Sequence, residues 1–191
     1  TCTDVGREKG GQRGGGNSVK VLGLGGKKGI QGNATCVIAH EEATGWLIGE
    51  ENRGLSIMFV MMNEARLGVG MQGIAQAEAA YQAAAEFAKD RLQGRSLTGP
   101  KNPDGPADPI IVHPNVRRML MDAKAIIEGG RAFMFWSALH GDLAEASPDE
   151  ATRQKGPASM ALTTPVLQGF LTARGFPVCT EAMQFPGGPG S

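Results

Sequence analysis

The sequence predicts a mainly helical protein in which a short β region leads into a bundle of long helices. Near the start, three short runs rich in β-branched residues are separated by glycines, which is typical of small strands. After Gly49, apolar residues recur at helical spacing for almost forty positions. The hydrophobic fraction of 41% is enough for a core, although few aromatic residues contribute to it.

The β region follows a polar N-terminal segment. Residues 1–17 are dominated by glycine, lysine, arginine and glutamine. Such a segment cannot bury enough apolar surface to offset its chain entropy, so we expect it to be disordered. The runs at 19–22, 35–39 and 45–49 then predict three strands of a small antiparallel sheet.

A glycine-rich segment, GLGGKKG at 23–29, separates the first two runs. It invites a phosphate-binding interpretation. However, the third glycine of the dinucleotide-binding pattern is displaced, and no Ser or Thr follows the lysine as a P-loop requires. A hairpin turn or a β-bulge is therefore favoured over a phosphate site.

One long helix is predicted after Gly49. Glutamates at its start suit the positive end of the helix dipole, and its length calls for packing against other long helices. Three glycines interrupt it, Gly68, Gly70 and Gly73, and each costs about 1 kcal/mol relative to alanine unless close packing or a ligand uses the missing side chain. The apolar stripe comprises Leu55, Met58, Phe59, Met62, Ala65, Val69, Ile74, Ala77, Tyr81, Ala84, Ala88 and Leu92.

Proline and glycine punctuate the rest of the chain. Four prolines and three glycines between positions 94 and 112 predict a loop, and Pro114 suits the first turn of a second helix. Gly175 is a candidate C-cap of a third helix. The predicted elements are a loop at 94–112, a helix at 114–143, a polar connection at 144–156, a shorter helix at 160–175 and the beginning of a fourth helix at 180–184.

Three arginines stand out from these patterns. Arg66 lies on the apolar stripe of the first helix, where a charged side chain needs either an ion-pair partner on a neighbouring helix or a ligand. The pattern leaves both alternatives open. Arg91 and Arg95 flank the end of that helix, where the dipole favours basic residues in any protein, so a phosphate-binding role is the less favoured alternative. We expect His113 to be structural and Glu78 to face solvent.

Several classes of protein are excluded by composition. The 19 basic and 19 acidic residues balance, so no overall charge favours nucleic acid or an anionic membrane. Three widely spaced cysteines and three separated histidines predict neither a disulfide framework nor a metal site, and they favour reduced thiols in the cytoplasm. No apolar run approaches the ~18 residues of a membrane-spanning helix.

Several runs of sequence resemble the acyl-CoA dehydrogenase family. They are GWLIGEENRGL at 45–55, MMNEARLGVG at 61–70, AKDRLQGR at 88–95 and IIVHPNVRRML at 110–120. The predicted loop at 94–112 and GIQGNATCV at 29–37 resemble the larger subgroup that includes 3-(methylthio)propanoyl-CoA dehydrogenases. In that subgroup histidine commonly stands at the position of Gln31. Each run is weakly specific alone, and together they are specific.

The resemblance implies a division of the chain. It places the C-terminal part of a middle β domain at 18–50 and the C-terminal helical domain, which contacts FAD and acyl-CoA, at 51–191. Residues 1–17 match neither. The implied fold is an up-down four-helix bundle, incomplete in this chain and preceded by the last strands of the β domain.

The resemblance also implies a reaction. In this family a glutamate removes the α-proton of an acyl-CoA thioester and the β-hydrogen leaves as hydride to FAD. The enzymes act as homodimers or homotetramers and pass electrons to an electron-transfer flavoprotein. The resemblance assigns substrate binding to Asn63 and Arg66. It assigns FAD binding to Arg91, Gln93, Gln184, Gly187 and Gly188.

Departures from the family occur at both ends of the chain. In the subgroup the catalytic glutamate lies beyond Gly188, so we expect no catalytic residue here. We also expect the chain alone to be inactive, and poorly stable as a monomer because bundle faces would be exposed. Both ends resemble truncated or mistranslated sequence, which sequencing of the parent locus would test. The alternative function is a non-catalytic helical interaction module derived from the same fold.

Overall fold

The computed structural model describes residues 17–187, which fall in two compact units divided between Leu55 and Ser56. A β-hairpin lies in the first unit and nearly all of the helical residues lie in the second. Disorder was predicted for residues 1–17. All of these residues except Asn17 lie outside the described part of the chain. The domain division predicted between positions 50 and 51 stays a prediction.

The glycine-rich segment forms the connection of a β-hairpin. Strand β1 (Val19–Leu24) pairs antiparallel with strand β2 (Cys36–His40), and the pairing register shifts between Val21 and Gly23, as in a bulge. The amide of Gly25 donates to the Thr35 carbonyl at 2.7 Å just beyond the strands. The interpretation of this segment as a hairpin with a bulge is therefore confirmed.

The third predicted strand does not form. Residues 45–49 are irregular, and the side chains of Trp46, Leu47 and Ile48 are all exposed. A strand needs a hydrogen-bonded neighbour, and β1 and β2 pair only with each other within residues 17–187. The short apolar run between two glycines was therefore insufficient to create a strand.

Within residues 17–187, the second unit consists mainly of three long helices. They are α1 (Gly54–Asp90), whose first two residues belong to the first unit, α2 (Pro114–Ala146) and α3 (Glu150–Ala182). A short 3-10 turn at Ile110–Val112 precedes α2. The mainly helical fold is confirmed. The core runs along the helices as three groups of buried side chains, which are Ile74, Met134, Leu167 and Leu171, then Ala77, Ala123, Ile127 and Val178, then Ala84, Ala88, Ile110 and Leu120.

Helix α3 is longer than predicted. The expected polar connection at 144–156 shrinks to the few residues between α2 and α3, and the expected start of a fourth helix at 180–184 is the end of α3 and the turn after it. Asp149 caps the helix by accepting a hydrogen bond from the Thr152 amide at 2.9 Å. Pro157, Pro165 and Pro177 lie inside the helix, where burial of its apolar face outweighs their cost.

Glycines let α1 and α3 approach at backbone distance. A Cβ at Gly175 would lie 2.6 Å from the Gly73 carbonyl oxygen, and a Cβ at Gly73 would lie 2.9 Å from the Leu171 carbonyl oxygen. Similarly, a Cβ at Gly130 on α2 would lie 2.4 Å from the end of the Ile74 side chain. Gly175 is therefore a buried contact inside α3, and its predicted role as a C-cap is wrong.

A pair of side chains joins α1 to α2 at the edge of the core. The carboxylate of Glu78 accepts a hydrogen bond from Gln82 at 2.7 Å and pairs with the Arg131 guanidinium at 2.5 Å. Hydrogen bonding from Gln82 and then from Arg131 lowers the pKa of Glu78. The expectation that Glu78 faces solvent is wrong, because its side chain is half-buried and α2 brings a cation to it.

The first turns of α1 are apolar on every side. Met58, Phe59, Val60 and Met61 follow one another, so together they cover the whole circumference of the helix, and all four are exposed. The buried residues of α1 begin only at Gly70. This exposure supports the expectation of low stability for the isolated chain, which stays a prediction.

Replacing Ser137 with alanine should stabilise the protein, although Ser137 lies in the core. Its hydroxyl is fully buried on α2 and has no hydrogen-bond partner within the described residues. Alanine removes the unpaired hydroxyl and is a better helix former, so the free energy of unfolding should rise by about 1 kcal/mol in urea unfolding. Thr163→Val is the contrast, because the Thr163 hydroxyl donates to the Ser159 carbonyl at 2.9 Å. An equal gain in both variants would contradict the explanation.

Candidate functional site

One cavity of about 460 Å³ lies where the end of α1, the start of α2 and the end of α3 meet. It brings together Gln93 and Gln184, two residues that the sequence predicted for FAD binding and that lie far apart in the chain. Amide, imidazole, apolar and aromatic groups all contribute to its wall. The lining residues are Gln93, Gly94, Ile110, His113, Asn115, Val116, Met119, Gln184 and Phe185.

Backbone pairing fixes the α1 side of this cavity. The Gln93 amide donates to the Asp108 carbonyl at 2.9 Å, and the Asp108 amide donates to the Gly94 carbonyl at 2.9 Å. The Ile110 amide donates to the Arg91 carbonyl at 2.8 Å. The predicted loop therefore leaves and rejoins the helices through a short antiparallel contact. We refer to residues 95–107, which this contact closes, as the proline-rich loop.

The carboxylate of Asp108 organises the proline-rich loop from inside. It is fully buried and accepts hydrogen bonds from the backbone amides of Ser96 (2.8 Å), Lys101 (2.9 Å) and Asn102 (2.7 Å). The Arg95 guanidinium adds a longer contact at 3.3 Å. The amide of Ser96, followed by those of Asn102 and Lys101, lowers the pKa of Asp108 to about 2.

Arg95 belongs to the same loop. Its guanidinium donates to the Asn102 carbonyl at 2.8 Å and to the Gly105 carbonyl at 2.6 Å, besides its contact with Asp108. These partners are all within the loop or at its base. In the structure Arg95 therefore holds the loop to its base, a role that the helix-dipole interpretation did not include.

His113 connects the cavity wall to α2. Its Nε2 lies 2.7 Å from the Gln93 carbonyl oxygen, and because a carbonyl can only accept, Nε2 carries the hydrogen and donates it. The ring also packs against Gly94, where a Cβ would lie 3.5 Å from the imidazole. Gly94 has a φ of 70°, a conformation that glycine adopts without strain. His113 is structural, as expected, and it also lines the cavity.

Acid should loosen the proline-rich loop. The pKa of Asp108 is about 2 in the fold, below the ordinary aspartate value near 4, so its stabilisation is complete above pH ~4 and is lost as the pH falls towards 2. Hydrogen exchange at the Ser96 and Asn102 amides, corrected for intrinsic rates, should accelerate across that range. The side chain in the Asp108→Asn variant keeps one acceptor oxygen, so at least one of the two amides should exchange fast at every pH. Unchanged protection of the wild-type amides at pH 2 would contradict this expectation.

The other residues predicted for FAD binding do not line the cavity. Arg91 is exposed at the residue after α1, and its backbone joins the pairing at the base of the proline-rich loop. Gly187 is exposed with a φ of 67° in the turn that follows α3. Gly188 lies outside the described residues. Among the lining residues that sequence reasoning missed, Asn115 and Phe185 are adjacent to predicted helix boundaries, which was the available signal.

The predicted substrate residues lie on a distant part of α1. Arg66 is half-buried, its guanidinium lies 5.5 Å from the centre of the Phe59 ring, and it forms no ion pair with any described residue. The predicted alternative of a partner on a neighbouring helix is therefore not realised within residues 17–187. Asn63 is exposed one turn earlier. Arg66 is about 36 Å along the helix from Asp90, so the structure does not bring the two predicted sites together.

No group of histidine, cysteine and acidic side chains within residues 17–187 is arranged to hold a metal ion. No helix in that part of the chain is both long and apolar enough to cross a membrane.

Comparisons with known proteins agree with the helical architecture. Residues 52–191 match the family model described as the acyl-CoA dehydrogenase C-terminal domain. The chain is similar in fold to the solved structure of butyryl-CoA dehydrogenase from Megasphaera elsdenii, with a TM-score of 0.69 and 23% identity over 91% of this chain and 39% of that chain.

Curated relatives are more similar in sequence. The chain is 42% identical over 174 residues to 3-methylmercaptopropionyl-CoA dehydrogenase of Ruegeria pomeroyi, covering 91% of this chain and 29% of the relative. It is 34% identical over 188 residues to a butyryl-CoA dehydrogenase of Syntrophomonas wolfei, covering 94% and 30% respectively. The chain therefore spans less than a third of the length of these relatives. From the extent of the family model and these identities, the chain belongs to the acyl-CoA dehydrogenase family.

Proposed function

We propose that this chain is the cofactor- and substrate-contacting helical part of an FAD-dependent oxidoreductase that converts an acyl-CoA thioester to the 2-enoyl-CoA. The observation that carries the proposal is the cavity at the ends of the helices. Gln93 and Gln184 line it together, although only the resemblance to the family connected them. A helical module kept solely for protein contacts would have no reason to keep this pair.

The cavity has the chemistry that part of FAD requires. Its volume of about 460 Å³ lies within the ~300–1,000 Å³ of small-molecule sites, and its wall combines amide groups with the flat ring of Phe185. Gly94 lets the backbone approach a ligand because no Cβ intervenes. When bound, FAD accepts the hydride from the substrate β-carbon. Gln93 and Gln184 would hydrogen-bond the cofactor, and Arg91 at the end of α1 would pair with its diphosphate.

Arg66 and Asn63 would hold the acyl-CoA. Within the described residues, the Arg66 guanidinium has aromatic contact with Phe59 but no carboxylate to neutralise it, so its charge is available to an anionic or carbonyl-bearing ligand. The separation of Arg66 from the Gln93 cavity along α1 suits the assignment of that cavity to FAD of a neighbouring subunit. A homodimer or homotetramer is therefore part of the proposal.

The remaining steps require groups outside this chain. We place the catalytic glutamate beyond Gly188, so the chain alone should not turn over substrate. Electrons would leave the reduced cofactor to an electron-transfer flavoprotein. The division into a β part at 18–50 and a helical part at 51–191 belongs to the same proposal.

The test uses the protein encoded by the complete reading frame. It should be purified with visible flavin absorbance, lose that absorbance on addition of an acyl-CoA and form the 2-enoyl-CoA. Gln184→Ala should weaken FAD binding by about 10-fold, as expected for loss of one or two hydrogen bonds to a ligand. Gln168→Ala, a glutamine on α3 outside the cavity, is the control. A colourless, folded protein that takes up no FAD would favour the helical interaction module instead.

A further inference from the structure

We propose that Asp108 is a positioning residue for the FAD cavity, which it serves by holding Gln93 and Gly94 in place. Asp108 does not line the cavity and was not among the residues predicted for the site. The proposal rests on the proposed function, because it assigns Asp108 to a cofactor pocket. The part of the proposal that concerns the positions of Gln93 and Gly94, which we call its structural half, can be tested in cofactor-free protein.

The backbone of Asp108 grips the cavity wall directly. Its carbonyl accepts the Gln93 amide and its amide donates to the Gly94 carbonyl, both at 2.9 Å. These two hydrogen bonds join Asp108 to two consecutive wall residues, so the position of Asp108 determines the position of both. Gly94 has no side chain of its own to fix its backbone, and therefore depends on this pairing.

The side chain of Asp108 determines where that backbone lies. Its carboxylate is fully buried. Oδ1 accepts hydrogen bonds from the amides of Lys101 and Asn102, and Oδ2 accepts one from the amide of Ser96. Such charge-assisted bonds are stronger than neutral ones. Asp108 therefore binds the proline-rich loop through its side chain and Gln93 and Gly94 through its backbone.

His113 extends this arrangement across the cavity. The Gln93 carbonyl that receives the His113 Nε2 hydrogen belongs to the residue whose amide Asp108 holds. If Gln93 shifts, His113 loses its acceptor and two lining residues move together. One buried carboxylate thus controls a continuous strip of the wall formed by Gln93, Gly94 and His113.

The helical core does not depend on the proline-rich loop. None of the buried core groups of α1, α2 and α3 includes a residue between 95 and 107. Loss of the Asp108 carboxylate should therefore affect the cavity wall much more than the helices. This separation makes a positioning role distinguishable from a general effect on stability.

Two variants of the full protein give a graded test. Asp108→Asn keeps the shape of the side chain but turns an amide NH₂ towards at least one backbone N–H. Asp108→Ala removes both side-chain acceptor oxygens and keeps the backbone carbonyl. The dissociation constant of FAD, measured by flavin fluorescence, should rise about 10-fold in the first variant and more in the second. In cofactor-free protein, the Gln93 amide should exchange faster in both variants while far-ultraviolet circular dichroism stays unchanged.

Asp149→Asn is the matched control. Asp149 is also a carboxylate that accepts a backbone amide, at 2.9 Å from Thr152, but it caps α3 away from the cavity. This control should lower the melting temperature and leave both FAD affinity and Gln93 exchange within about twofold of wild type. Asp108 variants that change FAD affinity no more than Asp149→Asn would overturn the proposal. If the wild-type protein binds no FAD, the proposed function fails, and unchanged Gln93 exchange in Asp108→Asn would separately overturn the structural half.

Discussion

Replacing Gly175 with alanine should lower the free energy of unfolding by about 2–3 kcal/mol. The new Cβ would lie 2.6 Å from the Gly73 carbonyl oxygen and 3.2 Å from its carbonyl carbon. These are backbone atoms inside α1, so they cannot rotate away as a flexible side chain would. The helices would have to separate, which would also loosen the packing of Leu171 beside them. Denaturant unfolding of the variant against wild type measures the effect.

Gly169 provides a matched control in the same helix. It is exposed on α3, and a Cβ there would meet no atom within 4 Å. Because alanine is a better helix former, Gly169→Ala should raise the free energy of unfolding by up to about 1 kcal/mol. Both substitutions add the same methyl group, but they should change the free energy of unfolding in opposite directions. Similar effects of the same sign would contradict a close crossing of α1 and α3 at Gly73 and Gly175.

Replacing Arg66 with alanine should weaken acyl-CoA binding by about 10–100-fold, the range expected for loss of a charge-assisted hydrogen bond of about 1.5–3 kcal/mol. The physical reason is that the Arg66 guanidinium has no acidic partner within residues 17–187 and so has its charge available for a ligand. Isothermal titration of the full protein with an acyl-CoA measures the loss. FAD content should remain that of wild type, because Arg66 is far from Gln93 along α1.

Arg174 is the matched control for Arg66. It also lies over a phenylalanine ring, with its guanidinium carbon 5.8 Å from the centre of Phe170, so it makes the same kind of aromatic contact on α3. Arg174→Ala should leave acyl-CoA affinity within about twofold of wild type. Equal losses in both variants would attribute the Arg66 effect to loss of the aromatic contact instead of loss of a ligand contact.

Much of the fold could be predicted because it depends on patterns among residues that are close together in the sequence. Helical spacing predicted α1 to within a few residues, and clustered proline and glycine predicted the loop between α1 and α2. The family was also identifiable, because its characteristic runs are contiguous in the sequence. The resemblance assigned Gln93 and Gln184 separately to FAD binding, whereas neither spacing nor composition related one to the other.

Other features depended on contacts between distant residues. The predicted strand at 45–49 lacked a neighbour to pair with, and α3 continued through three prolines because its apolar face is buried against α1 and α2. Glu78 became part of an ion pair only because α2 placed Arg131 beside it. In each case the result depended on whether a distant segment of the chain supplied a packing or bonding partner, which a local sequence pattern does not show.

The sequence by itself determined that this protein is mainly helical, resembles the acyl-CoA dehydrogenase family and carries an arginine on the apolar stripe of its first helix. Only the tertiary structure decided that Gly73 and Gly175 form a backbone contact, that Asp108 is buried among backbone amides and that Gln93 and Gln184 share a cavity. The physical reason is that helix periodicity reports the surroundings of a residue within a few turns. Burial and hydrogen bonding, by contrast, depend on which distant segment packs against it.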